Sequence, residues 1–286
     1  MTPNTLQHLL ELHSKIRNRP DGSSYISLSF SAEYSIAEQT GHGLKEIELQ
    51  ALNNDIVPER YCRNQTSLSN EDQRKLLQSH VAIIGLGGLG GTVTEILARI
   101  GVGKLTLVDG DSFDDSNLNR QILSSPANLG KPKAKIAARR VNSINPAVKT
   151  CPIEIFFTGE NSEKILQDVH LVVDCLDTIT DRFVVEASCQ KLSLPMVSAA
   201  IAGSSGQATV IIPGDQGLKR IYGSPQKAPA KGVEASIGTL PFAALYMAAV
   251  ECAEAVTILL GNSPELQNRL FLADTRDHTT DLLDLS

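Results

Sequence analysis

Apolar and polar positions are most sharply ordered between residues 81 and 109. Residues 81–84 form a short, continuously apolar run, as a strand buried on both faces of a sheet requires. Glycines follow, and apolar residues then recur at helical spacing at positions 93, 96, 97 and 100. A second apolar run occupies residues 105–108. The pattern predicts a strand, a glycine-rich turn, a helix and a second strand parallel to the first.

The turn and the second strand carry the residues of a nucleotide-binding unit. Glycines stand at Gly85, Gly87, Gly88 and Gly90, and Asp109 follows about 20 residues later, as in the dinucleotide-binding fingerprint. Glycine lets the backbone approach phosphate oxygens, and the start of the following helix offers unpaired N–H groups. Asp109 is an acceptor for ribose hydroxyls. The pattern indicates a nucleotide site without saying which nucleotide binds.

Downstream of Asp109, strands and helices continue to alternate. The sequence predicts helices at residues 134–142, 160–167, 182–192 and 241–260, and strands at 148–155, 170–175, 195–199, 205–213 and 270–274. The strand at 205–213 is expected to be antiparallel. This order favours an α/β, Rossmann-like fold, with a mostly parallel sheet and helices on both faces. Residues 214–238, rich in Gly, Pro, Lys and Ser, are expected to form a mobile crossover loop.

Residues 1–58 are expected to form a small, mostly helical module ahead of a domain at residues 59–286. The first helix is expected to extend through Ile16, Ser31 to cap a second, and a third to cover residues 44–53. Two short helices around a glycine turn also suggest a helix-turn-helix DNA reader. This part has four Lys and Arg residues against seven Asp and Glu residues, which favours a packing or protein-contact role.

Charge, cysteine usage and hydropathy exclude several classes of protein. The net charge of -6 argues against a nucleic-acid binder, because phosphate contacts need clustered Lys and Arg. The five cysteines form no C-x-x-C pair, so no zinc site is expected. The start of the chain lacks a secretory pattern. The apolar stretch at 241–260 carries Glu251 and Glu254, which predicts a buried helix with one wet edge. A cytoplasmic protein that does not enter a membrane is therefore expected.

Side chains suited to phosphate collect after Asp109, namely Asn117, Arg120, Gln121, Lys131 and Lys133. Arg binds phosphate through its planar fork, and Lys acts as a point charge. Asp174 and Asp177 end a later strand, at the edge where open α/β sheets bind ligands, and Mg²⁺ bound by carboxylate and triphosphate oxygens is the expected metal. This set favours ATP over NAD, since a dehydrogenase also needs a positioned proton donor that the sequence does not provide.

These motifs, in this order, resemble the ThiF/MoeB/HesA family, the bacterial relatives of ubiquitin-activating enzymes. The resemblance runs from residue 59 to about residue 274. It rests on Arg60-Tyr61-Cys62-Arg63-Asn64, the GLGGLG segment at 85–90, Asp109-Gly110-Asp111, Asn117-Leu118-Asn119-Arg120-Gln121, Gly130-Lys131-Pro132-Lys133 and Asp174-Cys175-Leu176-Asp177. Asn64 departs from the family's usual Gln. The combination is far more specific than the glycines alone.

The resemblance implies a role for each matching residue. Gly87 and Gly88 approach the nucleotide and Asp109 holds the ribose. Arg63 reaches across a homodimer interface to the partner's ATP, and Arg182 is structural. Asp177 positions Mg²⁺, and the phosphates are surrounded by Asn117, Arg120, Gln121 and Lys133.

The implied reaction is ATP-dependent adenylation of the C-terminal carboxylate of a small ubiquitin-like sulfur-carrier protein, with release of pyrophosphate. Molybdopterin and thiamine biosynthesis are the leading pathways. The zinc-binding C-x-x-C pairs of many family members are absent, and residues 214–238 contain no cysteine, so no covalent thioester is expected. The alternatives are an NAD(P)-binding oxidoreductase, a non-catalytic relative, and a member that adenylates a peptide or a tRNA-linked carboxylate.

Overall fold

The computed structural model describes residues 3–229 and 232–286. The predicted segments 1–58 and 214–238 therefore extend beyond the described residues at positions 1, 2, 230 and 231. The helices are α1 Pro3–His13, α2 Phe30–Thr40, α3 Leu44–Asn53, α4 Asn70–Gln78, α5 Gly88–Ile100, α6 Lys133–Ile144, α7 Ser162–Ile165, α8 Ile179–Leu192, α9 Lys219–Tyr222, α10 Glu234–Ile237 and α11 Pro241–Leu259. The strands are β1 Lys15–Asn18, β2 Ser24–Leu28, β3 Ile56–Pro58, β4 His80–Ile84, β5 Lys104–Val108, β6 Lys149–Ile153, β7 Leu171–Asp174, β8 Met196–Ala202, β9 Ser205–Ile211, β10 Arg269–Asp274 and β11 Thr279–Asp284.

Eight strands form one sheet in the order β11-β10-β9-β8-β7-β4-β5-β6. Strands β6, β5, β4, β7 and β8 are parallel, whereas β9, β10 and β11 are antiparallel to their neighbours. The mostly parallel sheet and the antiparallel strand at β9 are confirmed; β11 was not predicted. The chain runs outward from β4 through β5 to β6 and then returns to the other side of β4. Ligands of open α/β sheets bind outside the carboxyl ends of strands at such a reversal.

Helices cover both faces of the sheet, as predicted. Along β4, Val81 and Ile83 point into the cluster beneath α5, α6 and α11, and Ala82 and Ile84 into the cluster beneath α8. These four side chains are at most 1% exposed. Each fully buried Val or Ile contributes about 1.5–3 kcal/mol. Burial on both faces explains why this strand is apolar throughout.

The N-terminal part has its own core and its own three-stranded sheet, in the order β1-β2-β3. The prediction that the first helix includes Ile16 is wrong, because α1 ends at His13 and Ile16 pairs with Ile26 in a β-hairpin. The hairpin turns at Gly22, whose φ is +86°, a conformation that favours glycine. Ser29, rather than the predicted Ser31, caps α2. Pairing with β2, rather than the local sequence, therefore determines that residues 15–18 form a strand.

A buried polar junction joins this part to the end of α6 in the larger domain. Glu48 of α3 accepts a hydrogen bond from the Tyr61 hydroxyl (3.0 Å), which in turn accepts one from Asn145 Nδ2 (2.9 Å). Arg60 forms ion pairs with Glu48 (3.1 Å) and Glu33 (3.9 Å). Burial raises the pKa of Glu33 to about 8 and that of Glu48 to about 7. Two buried acids share one guanidinium, so the folded chain retains a proton here near neutral pH.

Helix α11 is long and apolar enough to cross a membrane by length and composition alone. Met247, Ala248 and Cys252 on its buried side belong to the main core, and the helix packs against α5 and β8. It therefore sits in the molecule as a core helix. The segment 214–238 connects β9 to α11 and contains α9 and α10, two one-turn helices that were not predicted. Its Leu218 is 1% exposed and packs in the cluster beneath α8.

Candidate functional site

The glycine turn after β4 is shaped by close backbone packing. A Cβ at Gly90 would lie 1.8 Å from the carbonyl oxygen of Gly85, and one at Gly85 would lie 2.9 Å from that of Cys175. Gly85 also has a φ of +88°. At Gly87 and Gly88 a Cβ would meet its nearest neighbours at 3.5 and 3.4 Å, which is ordinary contact. Gly85 and Gly90 are thus required by the fold, whereas Gly87 and Gly88 leave the start of α5 open.

The side chain of Asp109, at the end of β5, is hydrogen-bonded to this turn. Its Oδ2 accepts a hydrogen bond from the backbone N–H of Leu86 (2.7 Å), and its Oδ1 accepts one from that of Asp111 (2.8 Å). Burial raises the pKa of this carboxyl, and Lys133 opposes the rise. Each oxygen retains an acceptor site, so the carboxylate is held in place and can still bind ribose hydroxyls.

Lys133 begins α6 and is 7% exposed. Its Nζ lies 3.1 Å from Asp111 Oδ2, and its backbone N–H donates to the Asp111 carbonyl oxygen (2.9 Å). Arg120 donates through Nη1 to the Ser116 carbonyl oxygen (2.9 Å) and to Asn119 Oδ1 (3.0 Å). The two cations are thus oriented by the same loop. Sequence reasoning gave Asp111 no role; its place two residues after Asp109 was the available signal.

The two amide side chains that were predicted to line this loop are both buried, but they differ in their hydrogen bonds. Asn117 completes the capping box of a 3-10 turn that Asp114 caps, because its Oδ1 accepts a hydrogen bond from the Asp114 N–H (3.2 Å). Gln121 is 6% exposed, and its Oε1 has no hydrogen-bond partner among the described residues. Its Nε2 lies 3.5 Å from the point that a Gly87 Cβ would occupy. An unpaired buried carbonyl oxygen beside an open glycine turn fits a ligand that donates a hydrogen bond, since leaving such an atom unpaired is costly.

On the other side of β4, two acids lie close together in sequence at the end of β7 but have different surroundings. Asp174 is fully buried, pairs with Arg182 (3.1 Å) and accepts a hydrogen bond from Ser198 Oγ (2.6 Å). Arg182 also donates to the carbonyl oxygens of Ala199 (2.6 Å) and Leu176. This network fixes the loop that follows β7 and supports the structural reading of Arg182. Asp177, at the end of that loop, is exposed.

The acid set limits how Mg²⁺ would be bound. Asp174 is engaged by Arg182, and no cluster of three His, Cys, Asp or Glu side chains suited to a metal occurs within 3–229 and 232–286. Asp177 remains as an exposed carboxylate after β7, whereas the exposed carboxylate of Asp111 after β5 is paired with Lys133. Mg²⁺ in phosphate sites typically uses one or two carboxylates together with substrate phosphates and water. Asp177 therefore fits a metal that arrives with a nucleotide.

Arg63 lies in an exposed turn and makes no hydrogen bond or ion pair with any other residue that the structure describes. The buried cysteines are packing residues. Burial, with Glu251 close by, raises the pKa of the Cys175 and Cys252 thiols well above the usual value, which keeps them protonated. Glu251 itself is fully buried on α11, 3.9 Å from Cys175 Sγ, and was predicted to lie at a wet edge of its helix. That prediction is wrong for both acids, because Glu254 is also buried, at 8% exposed, and accepts a hydrogen bond from the Leu266 N–H (3.2 Å).

Similarity to known proteins extends over most of the chain. The ThiF family model matches residues 61–285. The SAMP-activating enzyme E1 of Haloferax volcanii is 32% identical over 226 residues, which cover 77% of this chain and 83% of that protein. The sulfur carrier protein ThiS adenylyltransferase of Escherichia coli K12 is 33% identical over 203 residues, covering 70% and 80%. The crystal structure of E. coli MccB with ATP matches with a TM-score of 0.69 at 20% identity, covering 96% and 95%.

Proposed function

The chain belongs to the ThiF family and is an adenylyltransferase, and on this premise we propose that it activates the C-terminal carboxylate of a small ubiquitin-like sulfur-carrier protein. The relatives named for SAMP activation and for ThiS adenylylation support this kind of partner. One observation supports a nucleotide at this turn: Gln121 Oε1 is buried without a donor within the described chain, and Gln121 Nε2, which can donate to a phosphate, lies 3.5 Å from the point that a Gly87 Cβ would occupy. ATP is the substrate that this crevice fits.

The reaction needs alignment and charge neutralisation more than a strong base. A carboxylate oxygen attacks the α-phosphorus, an O–P bond forms, and the bond to the bridging oxygen breaks with its electron pair leaving on pyrophosphate. A carboxylate is already a nucleophile, so fixed cations directed at the phosphates supply most of the catalysis. Arg120 and Lys133 provide those cations, and Asn117 and Gln121 line the same loop. Mg²⁺ at Asp177 would supply further neutralisation.

We also propose a homodimer in which Arg63 acts on the partner's ATP. Arg63 is available for this role, because none of the residues 3–229 and 232–286 forms a hydrogen bond or ion pair with it. Leu118 and Ile122 flank Arg120 and are 40% and 47% exposed, and Phe242 at the start of α11 is 49% exposed. The loop carbonyl of Arg120 and helix α11 both approach Gly88, so these apolar side chains lie on neighbouring elements. Such a surface suits a second copy of the chain.

The remaining assignments follow the same reaction. The residues 1–58 with their own core are proposed as a separate module, and 59–286 as the adenylation domain. A cytoplasmic location, no zinc, and no binding of nucleic acid or membrane are part of the proposal. Cys175, Cys189 and Cys252 are buried, which supports adenylation without a covalent thioester. A thioester trapped on any of the five cysteines would contradict that part.

The direct product test is mass spectrometry of a carrier protein ending in Gly-Gly after incubation with the enzyme and ATP. The proposal predicts an acyl-adenylate adduct on the intact carrier and none on a carrier that lacks its last two residues. An adduct on neither protein, for carriers of both the molybdopterin and the thiamine pathways, would count against the substrate class.

A second candidate keeps the chemistry and changes the substrate to a peptide or a tRNA-linked carboxylate. The family model begins at residue 61, whereas the fold match to MccB includes 96% of the chain and so reaches into the N-terminal part. A module outside the shared domain gives a second surface for substrate contact. Deleting residues 1–58 should then weaken binding of the substrate and spare binding of ATP.

A further inference from the structure

Phe156 is a large apolar side chain left 66% exposed at the carboxyl edge of the sheet. Strand β6 ends at Ile153, which pairs with Val108 at the end of β5. The carbonyl oxygen of Ile153 accepts a hydrogen bond from the Asp109 backbone N–H (3.1 Å). The chain therefore leaves the sheet directly beside Asp109, and Phe156 comes three residues later.

The exposed ring packs directly against the backbone of Gly110. A Cβ at Gly110 would lie 2.8 Å from Phe156 Cδ2 and 2.9 Å from Cε2 and Cγ. No side chain larger than hydrogen fits there while the ring keeps this position. The Phe156 backbone is also held, because Asn161 Nδ2 donates to its carbonyl oxygen (2.9 Å) and Asn161 Oδ1 accepts from the Thr158 N–H (2.9 Å). The ring is thus positioned and yet open to solvent.

The order of strands gives this ring a place in the nucleotide site. Strands β4, β5 and β6 are neighbours in the sheet. The first ends in the glycine turn, the second in Asp109 and the third in the loop of Phe156. The parts of a nucleotide follow one another in a similar order: first the phosphates, then the ribose, then the base. With the phosphates at the glycine turn and the ribose at Asp109, the base lies towards β6.

We propose that the Phe156 ring, seated on Gly110, is the platform on which the adenine base of ATP stacks, and that it sets affinity for the base. This inference rests on the proposed adenylation function. Removing an aromatic platform from under a stacked base typically weakens binding by about 5- to 150-fold. Removing it should weaken binding of the whole nucleotide and leave binding of the phosphate chain unchanged.

The test measures binding without any carrier protein. Phe156→Ala is expected to raise the Kd of ATP about tenfold or more, whereas inorganic tripolyphosphate should bind both proteins equally. Ile155→Ala is the matched control, since Ile155 is the adjacent residue and is also exposed, at 48%. Phe156→Tyr should keep wild-type affinity. Gly110→Ala should weaken ATP binding as Phe156→Ala does, because the added methyl displaces the ring.

A spectroscopic readout distinguishes stacking from a general loss of fit. The fluorescence of 2-aminopurine riboside triphosphate should be quenched on binding to the wild type and to Phe156→Tyr, but not to Phe156→Ala. Unchanged ATP affinity and unchanged quenching in Phe156→Ala would overturn the inference and leave the proposed function standing. Wild-type protein that binds ATP but forms no acyl-adenylate would instead overturn the proposed function alone. Wild-type protein that binds no ATP would overturn both.

Discussion

Lys133 Nζ lies 3.1 Å from the carboxylate of Asp111, and the backbone N–H of the same lysine donates to the Asp111 carbonyl oxygen (2.9 Å). The cation is therefore held at the first turn of α6 by a residue of the loop that follows Asp109. Lys133 is almost fully buried, whereas the side chain of Asp111 is 55% exposed. This pairing orients the ammonium group before a phosphate arrives.

Lys133→Ala should therefore lower the rate of adenylation by about 10²–10³-fold, the usual effect of removing one fixed donor to a developing charge. Lys131→Ala is the matched control, because Lys131 is exposed and two residues away, and its Nζ donates to the Ala127 carbonyl oxygen (2.6 Å). Its rate should stay within about twofold of wild type. Equal losses in the two variants would remove the special role of Lys133. The measurement is the initial rate of carrier adenylation at saturating ATP.

Gly90→Ala should destabilise the fold strongly, because its Cβ would lie 1.8 Å from the Gly85 carbonyl oxygen. Overpacking of a core typically costs about 1–3 kcal/mol, and overlap with backbone is at the upper end or beyond. Gly88→Ala, whose Cβ would find its nearest atom at 3.4 Å, should fold with nearly unchanged stability. The two midpoints of urea denaturation make the comparison. Equal midpoints would mean that the turn adapts to a side chain at position 90.

The buried acids Glu33 and Glu48 should make stability depend on pH. Burial raises both pKa values, to about 8 and about 7, so between about pH 5 and 7 the folded chain binds more protons than the unfolded chain. Stability contributed by these groups is present at low pH and is lost as pH rises through the folded pKa values. The loss is about 1.4 kcal/mol per pH unit for each extra proton.

Glu33→Gln should flatten this pH dependence, and Glu38→Gln should not. Glu38 is an exposed residue of the same helix α2 and serves as the control. The free energy of unfolding in urea, measured at half-unit steps from pH 5 to pH 8.5, gives the slope for each protein. A slope in Glu33→Gln equal to that of the wild type would place the coupled proton elsewhere.

Removing one member of the buried Asp174–Arg182 pair should be costly. Arg182→Ala leaves Asp174 fully buried without its cation, which typically costs about 3–5 kcal/mol. Arg74→Ala, at a pair with Glu71 on the surface of α4, should cost less than about 1 kcal/mol. Calorimetric unfolding of the two variants gives the difference. A small loss in Arg182→Ala would mean that Asp174 takes up a proton at little cost.

The unit from β4 to β5 could be predicted from sequence because local pattern and tertiary environment agree there. Residues 81–84 are apolar, as are 105–108 except for Thr106, and both strands are interior to the sheet and buried. The hairpin of β1 and β2 could not, since all four residues of β1 are exposed and show no alternation. Its extended form depends on pairing with β2. Strand β11 was not predicted for the same reason, because every one of its residues is exposed and no alternation marks it as a strand.

At the site, sequence identified the residue types but not their partners. Asp174 and Asp177 look equivalent along the chain, yet only the fold brings Arg182 and Ser198 to Asp174. Nothing in the sequence links Lys133 to Asp111 across the intervening loop. Phe156 directly follows the predicted strand at 148–155, and nothing in its local sequence indicates that its ring packs on Gly110. Contacts between distant segments are decided by packing, which local patterns do not encode.

The most direct test of the account is ATP–pyrophosphate exchange in the presence of purified ubiquitin-like sulfur carriers that end in Gly-Gly. The account predicts exchange that requires a carrier and is lost in both Arg120→Ala and Asp177→Ala. Exchange that survives both substitutions would contradict the assigned site. No exchange with any such carrier, together with binding of NAD in preference to ATP, would contradict the function itself.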